Sequence, residues 1–347
     1  MDTFTITFNF TELVKIILLA FLGFGLSTLI TPLYTKLAYQ KRWWKKPREK
    51  AVTGERSKVF LKLHAEKHKR HIPTMAGIIF IISVALITSL FNFSREETWL
   101  PLAAFLGAGL VGLIDDTINI RGSGAGVAGL PSKLKFLLIT IVALIGGLFF
   151  YFKLDVASVN VPFLGDWSIG WLIVPLFVIT VVSAANAVNI TDGLDGLAGG
   201  LMVIAFGNYA LIAFLQGRFG VAGFCMTVVG VLLSYTWFNI HPARFFMGDV
   251  GSFCLGTALG VVAMITDTVL ILPIIAAIPV IEAGSSLIQI LSKKLRGGKK
   301  IFKIAPLHHH FEASGWEETK VTMRFWVLGQ VFGFVGLVVF LLGSYHV

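Results

Sequence analysis

Carboxylates, amides and histidines recur in short clusters along this 347-residue chain. Asp115-Asp116 closes one apolar stretch, and Asn186-Ala-Val-Asn189-Ile-Thr-Asp192-Gly-Leu-Asp195-Gly opens another. Asn239 and His241 precede Phe246-Met-Gly-Asp249-Val-Gly-Ser, and His308-His309-His310 follows a block of six Lys/Arg between Lys293 and Lys303. Two adjacent carboxylates at a helix C-terminus face the negative end of the macrodipole, a penalty of roughly 0.3–1 kcal/mol each before their mutual repulsion. A bound cation or a proton-transfer role accounts for Asp115 and Asp116. Asp192 and Asp195, three apart at the start of a helix, are expected on one face. An N-capping role competes there with a functional one, and the neighbouring amides Asn186 and Asn189 favour function. Asp249, with Asn239 ten residues before it and Gly248 and Gly251 around it, suits a metal or phosphate site. The candidate ligands are carboxylates and amides, so Mg²⁺ is the expected ion. Three consecutive histidines share no helical face and have no cysteine nearby, so they suit a diphosphate better than zinc. Glu282, inside an apolar run, is an intramembrane carboxylate for which a functional role and a structural partner are equally open. No Walker A loop, Ser-His-Asp layout or dinucleotide fingerprint is present. The inventory fits phosphoryl-group transfer through a metal, where positioning and charge neutralisation dominate.

The elements that must position these residues are apolar. Hydrophobic residues make up 56% of the chain and charged ones only 14%, well below the quarter usual in soluble domains. Ten apolar runs stand at roughly 11–37, 74–91, 99–114, 134–152, 170–188, 196–215, 220–238, 250–266, 268–292 and 324–345. Each is near the ~20 residues that cross a bilayer as a helix. The expectation is an all-α, polytopic integral membrane protein of about ten transmembrane helices, with residues 1–347 forming one membrane domain. The first run is too long for a signal-peptide core and reads as a retained helix. Cys225 and Cys254 lie in apolar runs and imply no disulfide framework. The net charge of +10 is placed asymmetrically: twelve Lys/Arg against three Glu fall between Lys41 and Arg70. With ten helices, one side carries 25 of the 29 Lys/Arg, all but Lys15, Arg95, Lys153 and Arg218. The positive-inside rule makes that side cytoplasmic and leaves both termini outside. Basic loops beside anionic lipid need no nucleic-acid partner. Every polar cluster named above falls on the same side, which points to a single inward-facing site, with the N-termini of the second, sixth and eighth helices able to hold phosphate oxygens.

The segments NAVNITDGLDG (186–196), WFNIHPA (237–243), FMGDVGS (246–252) and PLHHHFE (306–312) resemble, in order, the signatures of the phospho-MurNAc-pentapeptide transferase family. That family lies within the polyprenyl-phosphate HexNAc-1-phosphate transferases, and PLHHHFE is the piece most specific to the MurNAc-pentapeptide branch. The resemblance implies transfer of phospho-MurNAc-pentapeptide from its UDP carrier to undecaprenyl phosphate at the bacterial inner membrane, giving lipid I and UMP with Mg²⁺. By motif, Asp249 is expected to hold Mg²⁺, and Asp115 and Asp116 to lie beside the reacting phosphates, with Asp115 the base toward the lipid phosphate. Lys69, Thr74, Asn189, Asp192, Asp195, Asn239 and Phe246 are expected to line the uridine-diphosphate pocket, completed by His308, His309 and His310. Lys135 matches a lysine near the site, with Lys133 close by. A homodimer is implied by resemblance alone. The chain departs from the pattern at His71-Ile72 and Ala76, in the spacing of His64 to Lys69, and at Asn119 where a lysine is usual; these changes bear on Lys69, Thr74 and sugar selectivity. Rival readings are a sister enzyme loading GlcNAc-1-phosphate on the same lipid, a cation-coupled transporter, or a scaffold protein. A transporter would set charges near the midplane and repeat its two halves, and a scaffold leaves the carboxylates unexplained.

Overall fold

The computed structural model describes residues 9–44, 71–122 and 129–344. Helices run in order as α1 (Phe10–Gln40), α2 (Gly77–Phe91), α3 (Trp99–Arg121), α4 (Ser132–Phe152), α5 (Ile173–Thr191), α6 (Leu197–Leu215), α7 (Phe219–Asn239) and α8 (Gly248–Ile265). They continue as α9 (Leu272–Ile275), α10 (Ala277–Leu295), α11 (Leu307–Glu312) and α12 (Glu318–Ser344). Between α4 and α5 lies an antiparallel hairpin, β1 (Ser158–Val161) with β2 (Gly165–Ser168), paired Ser158 to Ser168 and Val161 to Gly165. Among the described residues eight helices are long and apolar enough to cross a membrane. Of the ten expected runs, the remaining two form α2, only 15 residues long, and α10, whose polar residues lower its hydropathy.

Helix α8 is the centre of the bundle. Every residue from Val250 to Ile265 is buried, as expected for a helix apolar on all sides. It packs against α2, α3, α5 and α6. Its contact with α3 depends on Gly112, where a Cβ would run into the Asp249 carbonyl and the Val250 nitrogen. The outer helices α1 and α12 turn large apolar side chains outward, Phe21, Leu29, Leu33, Val327 and Phe334 among them. Such a belt far exceeds the apolar patches of water-soluble proteins and identifies the lipid-facing surface.

Three expectations from the sequence change here. The run 268–292 is broken at Ala276 into α9 and α10, with Pro273 in the first turn of α9 and Pro279 near the start of α10. Helix α3 continues past Asp115 and Asp116 to Arg121, so the two carboxylates lie inside the helix rather than in a loop at its end. Asp192 and Asp195 are not on one face of a helix: α5 stops at Thr191, α6 starts at Leu197, and both aspartates sit in the turn between them.

Helix α10 is amphipathic in the inverted sense. Glu282, Ser285, Gln289 and Ser292 form a buried stripe, while Val280, Ile281, Leu287, Ile288 and Leu291 are exposed. The stripe secures the chain that follows. Gln289 accepts from the Ile301 and Phe302 N–H groups and donates to the Phe302 carbonyl, and Ser292 donates to Lys299 O at 2.9 Å.

Candidate active site

The bundle brings the starts of α2, α4 and α8 and the last turns of α3 together around three carboxylates and a lysine. Asp115 and Asp116 are fully buried, whereas Asp249 is half-buried, alone among the residues of α8 in not being enclosed. One oxygen from each of the three lies within 4.8 Å of the others. Lys135, two residues beyond the exposed Lys133 on α4, reaches Asp249 Oδ2 at 3.0 Å and Asp115 Oδ2 at 3.3 Å. The Leu130 N–H donates to Asp115 Oδ1 at 2.6 Å, and the Val250 N–H, one of the otherwise unmet donors at the start of α8, donates to Asp116 Oδ2 at 3.2 Å. Asp116 thereby ties α3 to the positive end of α8.

Three carboxylates and one ammonium in this volume carry an excess of negative charge that a low-dielectric surrounding magnifies. The donor set is all oxygen, hard and anionic, which fits a divalent cation of the Mg²⁺ class and not a soft one. Thr74 is buried and packs with Asp116 against Gly248. Its carbonyl accepts from the Tyr34 hydroxyl at 2.6 Å and its N–H donates to Trp43 O at 2.7 Å. The segment that carries Thr74 is held to the Phe246 segment by backbone bonds: Phe246 N–H to Pro73 O, Ala76 N–H to Phe246 O, and Gly77 N–H to Met247 O. Asn189 donates to Ser252 Oγ at 2.8 Å, one turn along α8 from Asp249. Lys69 lies outside the described residues.

A second polar cluster surrounds the α5–α6 turn. Asp195 Oδ2 lies 3.0 Å from His241 Nδ1 and accepts the Ala243 N–H at 3.0 Å. The Asp195 N–H donates to Glu318 Oε1 at 2.7 Å, and Glu318 Oε2 is 3.5 Å from His241 Nδ1. Asn239 uses both ends of its amide within the protein, accepting from Gly196 N at 2.9 Å and donating to Phe245 O at 2.8 Å. Asp195 and Asn239 thus hold the turn in place, while Asp192, which caps the end of α5, and Phe246 stay half-buried. Glu318 belongs to this cluster and was not among the residues singled out from sequence.

The three histidines do not form one donor set. His308 is fully buried, its Nδ1 at 2.8 Å from Glu282 Oε2 and its backbone N–H at 3.1 Å from Glu282 Oε1. The far edge of its ring, Nε2, packs on Gly193 in the α5–α6 turn. His309 Nδ1 is 2.7 Å from Glu312 Oε2, and His310 Nδ1 accepts from the Lys303 N–H at 3.1 Å. Adjacent positions on a short helix point about 100° apart, which is why three neighbours find three partners. Glu282, for which sequence left function and structure open, is the structural partner of His308.

Burial, and then the neighbouring His308, hold His309 below the ordinary histidine value, against the opposing pull of Glu312 and Glu282. The folded chain therefore binds fewer protons at this residue than the unfolded chain. Its stability contribution is complete above the ordinary histidine value and declines as pH falls below it. Thermal melting in detergent between pH 8 and pH 5.5 should show a steeper acid loss for the parent chain than for His309→Gln; equal slopes would contradict it.

Residues 98–267 match the family model described as glycosyl transferase family 4. The phospho-N-acetylmuramoyl-pentapeptide-transferase of Geobacillus thermodenitrificans is 40% identical over 280 residues, covering 79% of this chain and 85% of the relative. The protein of the same name from Chloroflexus aurantiacus is 40% identical over 76% of each chain. That of Geobacillus sp. strain WCH70 is 36% identical over 92% of this chain and 96% of its own. With identity of 36–40% to relatives that cover most of its length, the chain belongs to the phospho-N-acetylmuramoyl-pentapeptide transferase family.

Proposed function

We propose that this protein transfers phospho-MurNAc-pentapeptide from UDP-MurNAc-pentapeptide to undecaprenyl phosphate, forming lipid I and UMP for peptidoglycan synthesis. The observation that carries the reading is the convergence of Asp115, Asp116 and Asp249 around Lys135 at one end of an apolar bundle. The acceptor has a polyprenyl tail that stays in lipid and a phosphate that reaches the interface, and a carboxylate site at a helix-bundle end meets that geometry. The basic loops support a cytoplasmic position for this end, in a bacterial inner-membrane protein with both termini outside. Residues 1–347 act as one catalytic domain.

Asp249, with Asp115 and Asp116 beside it, would hold Mg²⁺, which supplies charge neutralisation to the sugar-nucleotide diphosphate. Lys135 adds a fixed positive charge between Asp115 and Asp249. Asp115 orients the lipid phosphate and takes its proton when it carries one. An oxygen of that phosphate attacks the phosphorus bearing the sugar; one P–O bond forms there and the P–O bond to UMP breaks. Direct attack is the simpler course, because a phosphate monoester is already nucleophilic. A chemically trapped phospho-aspartate would overturn it. Asp192, Asn189, Thr74 and Phe246 line the nucleotide side of the site.

The test is UMP release by detergent-purified protein given undecaprenyl phosphate and Mg²⁺, with UDP-MurNAc-pentapeptide and UDP-GlcNAc offered separately. Release with the first donor only, and none after chelation, is the expected outcome. Release with UDP-GlcNAc alone would move the chain to the GlcNAc-1-phosphate branch.

A further inference from the structure

We infer that a polar cavity at the end of the bundle remote from Asp249 takes the headgroup of a phosphoethanolamine-type membrane lipid. The cavity holds about 320 Å³, in the range of small-molecule sites. Helix α8 separates the two ends: Asp249 opens it and Asp267 follows it, about 27 Å away at 1.5 Å per residue. The cavity is therefore no part of the transfer site. The β1–β2 hairpin, the chain after α6, the end of α8 and the last turns of α12 enclose it, contributing Asn160, Asp166, Gln216, Arg218, Asp267 and Phe340.

Its chemistry calls for a donor. Asp267 Oδ1 accepts the Asn160 N–H at 2.9 Å, and the Asn160 side chain donates to Asp166 Oδ1 at 2.7 Å, so one asparagine ties two carboxylates to a single wall. Gln216 donates to the Thr266 carbonyl at 2.8 Å, which leaves its Oε1 buried with no hydrogen-bond partner. A buried acceptor of this kind is costly until something donates to it. Two carboxylates face one guanidinium, Arg218, so the walls carry a net negative charge. A primary ammonium brings a positive charge and three donors with no acceptor, which matches this set.

The remaining features select a lipid among ammonium ligands. Arg218 is exposed, and its planar fork suits a phosphate group. Ile271, Val339 and Phe340 border the same cavity, and the neighbouring Val338 and Leu342 on α12 face outward as part of the lipid-facing belt. An alkyl chain can therefore leave the cavity directly into the bilayer. A simple cation would leave Arg218 and the apolar border unused, and an anionic headgroup would meet two carboxylates without an ammonium to offer.

Native mass spectrometry of the full chain released from nanodiscs of equal phosphatidylethanolamine and phosphatidylglycerol content tests the assignment. The parent chain should retain phosphatidylethanolamine over phosphatidylglycerol. Removing one charge-assisted contact by Arg218→Ala, or by Asp166→Asn at the exposed wall, should weaken retention about tenfold. Arg218→Lys should restore part of it, and Arg218→Ala and Asp166→Asn should both keep the parent rate of UMP release, which shows that they fold. Equal retention of the two lipids, unchanged retention in both variants, or equal binding of soluble glycerophosphoethanolamine would overturn it.

Discussion

Asp249→Asn should reduce transfer by about 10²–10³-fold while leaving the thermal melt nearly unchanged. The expected asymmetry follows from the position of the side chain. The backbone of Asp249 is fixed by the Gly112 contact with α3 and by the first turn of α8, neither of which needs the carboxylate. The carboxylate itself is half-buried and meets Lys135 at a partly exposed position, where an ion pair contributes little to stability. Asparagine keeps the volume and one acceptor but removes the charge that makes the cluster a cation site. Lys135→Met separates the two functions of the pair. It leaves three carboxylates without their resident positive charge, so binding of a divalent cation should persist or tighten while turnover falls. Electron paramagnetic resonance of added Mn²⁺ reads binding without catalysis. The expected pattern is weakened Mn²⁺ binding in Asp249→Asn and retained binding in Lys135→Met, with both slow in transfer. Undiminished Mn²⁺ binding in Asp249→Asn would remove Asp249 from the metal site, whatever its effect on rate.

The contrast between these two residues and the rest of the site shows how far sequence reached. The apolar runs were legible because each is long and bounded by charge, and hydropathy reports an apolar surrounding, whether lipid or, around α8, the bundle interior. For the same reason it misplaced the end of α3. The run stops at residue 114 because Asp115, Asp116 and Asn119 turn into the protein, while the helix itself continues to Arg121. Hydropathy marks where the apolar surroundings end, and backbone hydrogen bonding sets where the helix ends. The Asp192–Asp195 spacing suggested a helical face, but Gly196 adopts φ +78°, and the turn it makes puts the two aspartates in different surroundings. The four-residue strands of the β1–β2 hairpin carry too little alternation to stand out between two long helices. Glu318 was invisible for a different reason: its partner Asp195 lies 123 positions away, and nothing local joins them. The polar stripe of α10 did leave a signal. Glu282, Ser285, Gln289 and Ser292 recur at helical spacing, and reading that period would have identified an inward polar face on an otherwise apolar helix.

Glu282→Ala, on that stripe, is the change expected to cost the most stability. Both oxygens of Glu282 are committed to His308, one to the ring and one to the backbone N–H at the start of α11, and both residues are wholly buried. Removing the carboxylate leaves two buried donors unmet, and breaking one side of such a pair costs about 3–5 kcal/mol. Glu282→Gln keeps an acceptor for one of the two and should lose markedly less. The effect should extend to substrate handling, because the far edge of the His308 ring packs on Gly193 in the turn that carries Asp192 and Asp195. Once Glu282 no longer holds the ring, that turn loses its support from α10 and α11, and the KM for the UDP donor should rise more than kcat falls. Gly193→Ala approaches the same contact from the opposite side, since its added Cβ would meet His308 Nε2 while leaving the Glu282 bonds formally intact. It should reproduce the rise in KM with a smaller loss in melting temperature. Mn²⁺ binding at Asp249 should be unchanged in both variants, because neither touches the carboxylate cluster. A Glu282→Ala chain that melts with the parent would refute the buried pair as a support. Unaltered KM in both variants would confine the pair to stability and detach the histidine segment from the nucleotide side of the site.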